Sequence, residues 1–276
     1  MFKKLSTRHC ANMYTPVQIP TYLHDTFPEY FRYVEKELPT LDLWAICMWH
    51  FHQIKPILPS HTVENIIVAD ACIDCIIDQK NQTIFLSGLS TIHRDVISDS
   101  HGDGYGIRMR PGAAHALFGI HASEAMDRRY DVTECLVDAL FWSLDYEEQV
   151  IRLITRLEYL GSQVTSRRAL DWFELVFENH YLNSVDTIAT YFGYSTKQLN
   201  RLFMEYYGMN VKAILMVIRM QKALDYLIHN PDESLTSLAV DMGYYDQSHF
   251  INDLKIHLGM TPYAVLKRIE HVSFFQ

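Results

Sequence analysis

Two short sets of polar residues occupy equivalent places in the C-terminal part of this 276-residue chain. Lys197, Gln198, Asn200 and Arg201 form the first set, and Gln247, Ser248, His249 and Asn252 the second. Amides, hydroxyls and arginine are the side chains that hydrogen-bond base edges in the DNA major groove. Other candidate chemistry lies in the N-terminal half. His50 and His52 would share one face of a strand, a geometry that metals use. Only His61 and Glu64 lie near them in sequence, and neither completes a metal-site spacing. Cys72-x-x-Cys75 would be a redox or zinc signal on a turn into a helix. Within a strand its two thiols face opposite ways, so buried thiols are expected. Gly102-Asp-Gly-Tyr-Gly106 lacks the dinucleotide spacing and reads as a turn. Neither a Gly-x-Ser-x-Gly nor a phosphate-loop pattern occurs. No catalysis, metal or cofactor is expected.

The elements that must position the two polar sets are written twice. Ser184-Val-Asp-Thr-Ile-Ala-Thr-Tyr-Phe-Gly193-Tyr194 returns as Ser234-Leu-Thr-Ser-Leu-Ala-Val-Asp-Met-Gly243-Tyr244. Leu199-Asn-Arg-Leu-Phe203 with Gly208-Met209 then answers to Phe250-Ile-Asn-Asp-Leu254 with Gly259-Met260. Val185, Ile188, Ala189 and Phe192 fall at helical spacing behind a capping serine, and Gly193 supplies the turn. Ser195 opens a second helix, with Gln198 completing a capping box. Leu199, Leu202, Phe203 and Tyr206 point inward there. In the second copy Leu235, Leu238, Ala239 and Met242 form the stripe, and Asp246 caps the helix that buries Phe250 and Leu254. Each copy is a helix-turn-helix. Between them, Val211 to Ile228 reads as one helix ended by Asn230-Pro231. About twenty residues span roughly 30 Å, close to one turn of B-DNA, about 34 Å. Such a rod presents both recognition helices to successive major grooves.

On these residues the C-terminal third, about residues 167–270, resembles the DNA-binding domain of AraC/XylS-type transcriptional regulators. Gly243-Tyr-Tyr-Asp-Gln-Ser-His-Phe250 and Gly259-Met-Thr-Pro-Tyr263 carry the resemblance most specifically. It implies seven helices, an asymmetric promoter-proximal site in double-stranded DNA, and the two polar sets facing successive grooves. It also implies a homodimer and contact with RNA polymerase. The family commonly has an arginine where this chain has Asn252, so the first unit, with Arg201, is expected to supply more of the affinity.

Composition bounds the reading. The chain carries a net charge of −9. Residues 167–276 hold ten Lys/Arg against twelve Asp/Glu, leaving fourteen against twenty-one for residues 1–166. Phosphate neutralisation normally supplies much of the affinity for DNA, so binding here leans on specific contacts or dimerisation. Five cysteines, an odd number, fit a reduced cytoplasm. Neither a secretory signal nor a membrane span is expected.

From Leu41 to Met109 the pattern is of short runs rich in β-formers: Leu43–Phe51, Ile66–Val68, Cys72–Ile77, Thr83–Leu86 and Gly106–Arg110. Turn signals at Pro56, Pro59-Ser60, Asp78–Asn81 and His101–Gly104 separate them, as in a sandwich or barrel. Helical patterning returns at Ala113–Leu117, Glu134–Leu144 and Tyr146–Leu160, with Ile151, Ile154 and Leu157 read as a dimer stripe. The expected fold is α+β. A β-rich domain (1–130), jelly-roll or cupin-like by resemblance, precedes a helical dimerisation segment (131–166) and an all-α double helix-turn-helix domain (167–276). A barrel mouth is a common pocket, and Trp49, His52, Arg108 and His115 are its candidate effector contacts. The N-terminal half is thus either a small-molecule sensor or a protein-interaction module without a ligand.

Overall fold

The computed structural model describes residues 13–17, 27–57, 63–87, 89–98, 104–179, 182–230, 234–265 and 267. Its strands are β1 (Phe31–Lys36), β2 (Ala45–Gln53), β3 (Val63–Ile67), β4 (Ile73–Asp78), β5 (Thr83–Ser87), β6 (Arg94–Ser98), β7 (Gly104–Met109) and β8 (Tyr130–Asp131). Six pair in the order β1-β2-β7-β4-β5-β8, and β3 pairs with β6 as a second small sheet. All these pairings are antiparallel. The turn signals at Pro59-Ser60 and at 101–103 lie outside the described residues.

Alternation decides which face is buried. Along β4, Ile73, Cys75 and Ile77 are buried while the residues between them are half-buried. With Met48, Ile84, Leu86, Tyr105 and Ile107 they join the main core. On the opposite face Gly104 and Gly106 leave room for aromatic rings. A Cβ at Gly106 would fall 2.6 Å from the Trp49 ring, and one at Gly104 would run into the Phe51 ring. Trp49 and Phe51 therefore stack flat, 5.8 Å apart at 5°.

The helices α1 (Phe27–Tyr30), α2 (Ala113–Phe118), α3 (Thr133–Leu136) and α4 (Tyr146–Gln163) belong to this half. The helix expected over Glu134–Leu144 is broken. Val137 is extended, and the Asp138 side chain accepts from the Leu140 and Phe141 amides, starting a separate 3-10 turn at Ala139–Ser143. The dimer stripe also needs correction. Leu157 is buried, Ile154 packs against the core, and only Ile151 of the three is exposed. The outward seam is Ile151, Thr155 and Tyr159, one turn apart from one another.

The C-terminal part consists of α5 (Arg168–Glu178), α6 (Val185–Phe192), α7 (Thr196–Tyr207), α8 (Val211–His229), α9 (Leu235–Asp241) and α10 (Gln247–Leu258). A further helical turn follows at residues 262–265. The long connecting helix is present as expected, with Ile214, Ile218, Leu224 and Leu227 buried, although Leu215 is half-buried. Pro231 lies outside the described residues.

The sheet half and the helical half share one continuous core. Tyr14 is buried between them, its ring 5.0 Å from Phe173 and 4.9 Å from Phe177, its hydroxyl donating to the Asp70 carbonyl at 2.9 Å. Its amide donates to the Glu174 carboxylate at 2.9 Å. Gln221, buried in the middle of α8, accepts from the Val17 amide at 2.7 Å and donates to the Ala69 carbonyl at 2.9 Å. At the far end, His93 Nδ1 meets the Ile256 carbonyl at 2.8 Å and His257 Nδ1 meets the Thr91 carbonyl at 2.7 Å.

Candidate nucleic-acid interface

Local chemistry builds the two helix-turn-helix units almost symmetrically. Ser184 caps α6 through the Thr187 amide in a reciprocal box, and Gly193 ends the helix at φ 74°. Ser195 accepts from the Gln198 amide at 3.3 Å while Gln198 Oε1 accepts from the Ser195 amide at 3.1 Å. In the second unit Ser234 caps α9, Gly243 adopts φ 76°, and Asp246 accepts from the His249 amide at 2.8 Å. Such left-handed turns are where glycine costs least. Each second helix buries one face, Leu199, Phe203 and Tyr206 in α7, Phe250 and Leu254 in α10.

The opposite faces carry the expected residues with two qualifications. Lys197, Gln198 and Arg201 are exposed on α7, as are Ser248, His249 and Asn252 on α10. Asn200 is turned aside. Its Oδ1 accepts from the Val211 amide at 3.1 Å and its Nδ2 donates to the Thr196 carbonyl, so it joins α7 to the start of α8. Gln247 is half-buried, and its Oε1 accepts from the Thr236 hydroxyl at 2.9 Å, tying α10 to α9. Sequence reasoning missed Tyr245, which is 94% exposed in the turn before α10. It also missed a polar cluster of Arg219, Tyr244 and Asp253 behind His249. A tyrosine repeated after each turn glycine was its only trace in the sequence.

The acidic balance is partly explained by position. Glu174 is spent at the junction of the halves, facing the Tyr14 amide and lying 4.0 Å from Arg110. Asp246 is a helix cap, and Asp232 and Glu233 lie outside the described residues.

Of the four N-terminal candidates Trp49 and Arg108 come together, at Asp74, while His52 and His115 lie apart from them and from each other. Trp49 donates from its indole nitrogen to Asp74 at 3.0 Å. Arg108, opposite Asp74 in the register, is buried among carboxylates: Glu35 at 3.1 Å, Asp74 at 3.5 Å and Asp70 at 3.7 Å. Burial pushes the Asp74 carboxyl up to about 6, although the Arg108 charge pulls the other way. His52 lies on the other face of the sheet, its ring 3.6 Å from that of His50, which stacks on Tyr146. His61 lies outside the described residues. Cys72 and Cys75 are both buried free thiols, and burial pushes Cys75 up to about 12, so neither is a poised nucleophile. His115 sits on α2, held by the Ile120 carbonyl at 2.7 Å, with its ring 4.8 Å from Tyr206 of α7. It lines a cleft of about 450 Å³ between the halves, together with Leu160, Gln163, Arg168 and Tyr206. Among the described residues no helix is long and apolar enough to cross a membrane.

Paired helix-turn-helix units of this build form a DNA-binding domain, and residues 188–268 match a family model described as a helix-turn-helix domain. Residues 38–131 match a domain of unknown function, DUF6597. The transcriptional regulator ExsA of Pseudomonas aeruginosa is 29% identical over 99 residues, 35% of this chain and 35% of that protein. The transcriptional activator RhaS of Escherichia fergusonii is 27% identical over 154 residues, 44% of this chain and 55% of RhaS. The chain thus spans between about a third and a half of these two relatives. Among solved structures, ToxT of Vibrio cholerae covers 87% of this chain and 98% of its own at 12% identity and a TM-score of 0.39. The chain thus carries a helix-turn-helix domain of the AraC type, similar to those of these transcriptional regulators.

Proposed function

We propose that this protein is a sequence-specific transcriptional regulator that binds double-stranded DNA through α7 and α10. One observation carries the reading: two capped helix-turn-helix units, joined by α8, each leave the polar face of the second helix open. Lys197, Gln198 and Arg201 read or hold one groove, and Ser248, His249 and Asn252 the next. Gln247 and Asn200 serve chiefly to hold those helices in place. The likeness to RhaS, an activator, favours activation through contact with RNA polymerase.

A small-molecule effector is the favoured control. The supporting feature is the cleft between α2, the end of α4, α5 and α7, because a ligand there touches both halves at once. Binding energy that differs between two arrangements of the halves shifts their populations. His115 belongs to that cleft, whereas Arg108 is already surrounded by carboxylates. A homodimer through Leu140, Ile151 and Tyr159 would double the number of specific DNA contacts available to an acidic chain.

Selection of bound duplexes from a random pool with the full-length chain tests the reading. Two short motifs with centres about ten base pairs apart are expected. A pool without enrichment, at low and at moderate salt, would refute it.

A further inference from the structure

Asp253 sits on a helix that faces DNA, where negative charge gains nothing. It does not cap α10, a duty that falls to Asp246. Its side chain is only 19% exposed, turned toward the body of the domain. There Asp253 lies near Tyr244, whose hydroxyl pKa burial raises, with the Asp253 charge adding to the rise and Arg219 of α8 opposing it. The Arg219 guanidinium also lies 5.2 Å from the Tyr244 ring centre.

This cluster grips His249. The His249 amide is bound by Asp246 at 2.8 Å, and its ring stands edge-on to Tyr244, 5.2 Å away at 80°. Its Nε2 lies 3.9 Å from Asp253 Oδ2, ion-pair range rather than hydrogen-bond distance. The imidazole itself is 60% exposed on the same outer face as Ser248 and Asn252.

We infer that Asp253 is a positioning residue for base reading, holding His249 with its Nε2–H toward the carboxylate and its Nδ1 lone pair toward the groove. A neutral imidazole donates from one nitrogen and accepts at the other, and the partner of one nitrogen decides which. An acceptor presented to the groove takes an exocyclic amine, N6 of adenine or N4 of cytosine. Every base pair offers one amine and one carbonyl in the major groove, so His249 reads the orientation of a pair. Adenine or cytosine is preferred on the nearer strand. The inference rests on the DNA-binding reading above.

Random-pool selection with the full-length chain tests it, run with wild type, His249→Ala and Asp253→Asn. Wild type should show about a tenfold preference for one pair orientation at a single position of the α10 half-site, and His249→Ala should erase it there alone. An asparagine can donate to Nε2 as well as accept from it and so holds neither tautomer; Asp253→Asn should weaken or reverse that pair while the α7 half-site stays as in wild type. Asp253→Ala should flatten the preference without reversing it. If Asp253→Asn and Asp253→Ala weaken every position alike, or leave the His249-dependent position unchanged, Asp253 has no such role. A wild-type pool without any motif would overturn the DNA-binding reading itself, a result distinct from either.

Discussion

Replacing Gln221 by leucine would cut the fastening between α8 and the sheet half. The glutamine accepts from the Val17 amide at 2.7 Å and donates to the Ala69 carbonyl at 2.9 Å. Leucine has nearly the same reach and makes neither bond. A buried polar group left without its partner costs about 1–3 kcal/mol. Val17 is half-buried, so water restores part of its loss, whereas Ala69 is buried. The extra apolar side chain returns a little. The net loss is therefore about 2–4 kcal/mol, and for a chain of this size a melting point lower by roughly 5–15 °C. Chemical denaturation and calorimetry of the full-length protein measure it. The Gln221→Glu variant keeps the acceptor for Val17 but sets a carboxylate against the Ala69 carbonyl, and should fall further at neutral pH. A Gln221→Leu protein within about 0.5 kcal/mol of wild type would refute the claim that this side chain joins the halves.

Three other outcomes follow from particular residues. Arg201→Ala should weaken binding to the selected duplex about tenfold or more, and Asn252→Ala by less; fluorescence anisotropy would measure both, and equal losses would count against the unequal weight given to the two units. Asp74 has a folded-state pKa raised to about 6, so its contribution to stability is present below its unfolded value near 4 and disappears as pH rises through 6. Relative to Asp74→Asn, wild type should lose roughly 2.5 kcal/mol between pH 4 and pH 7, and parallel curves for the two proteins would show the carboxyl to be unperturbed. Glutamates at both Ile151 and Tyr159, which are 63% and 54% exposed, should convert a dimer to monomer without unfolding; an unchanged mass by light scattering would place the dimer interface elsewhere.

The C-terminal architecture was readable because its determinants are local. Ser195 and Gln198 are three residues apart, and Gly193 needs only its own backbone to make a left-handed turn. Five of the eight strands, β2, β3, β4, β5 and β7, were visible as short β-forming runs, with edges moved by up to three residues, whereas β1, β6 and β8 were not read as strands. Long-range geometry was not readable. Leu157 and Ile151 lie on the same helical pattern, and only packing against the sheet half decides which is buried. Asn200 is polar on an outer face by periodicity, yet α8 arrives to claim it. Arg108 is a plausible ligand contact in sequence, and the carboxylates that occupy it come from positions 35, 70 and 74. Charge count likewise could not reveal that Glu174 faces the sheet half.

The continuous core has a meaning for how the protein is made. Tyr14, Ala69 and Gly112 leave the ribosome well before Phe173, Ala169 and Gln221, the residues they rest against. At about 5–20 residues per second, the roughly one hundred residues that complete the junction take on the order of 5–20 s to appear. During that interval the sheet half displays an unmatched apolar seam, and any chaperone that attends this nascent chain should be sought there. A truncated message ending within α5 would yield a sticky fragment, and the proteases that clear such fragments would recognise the same seam.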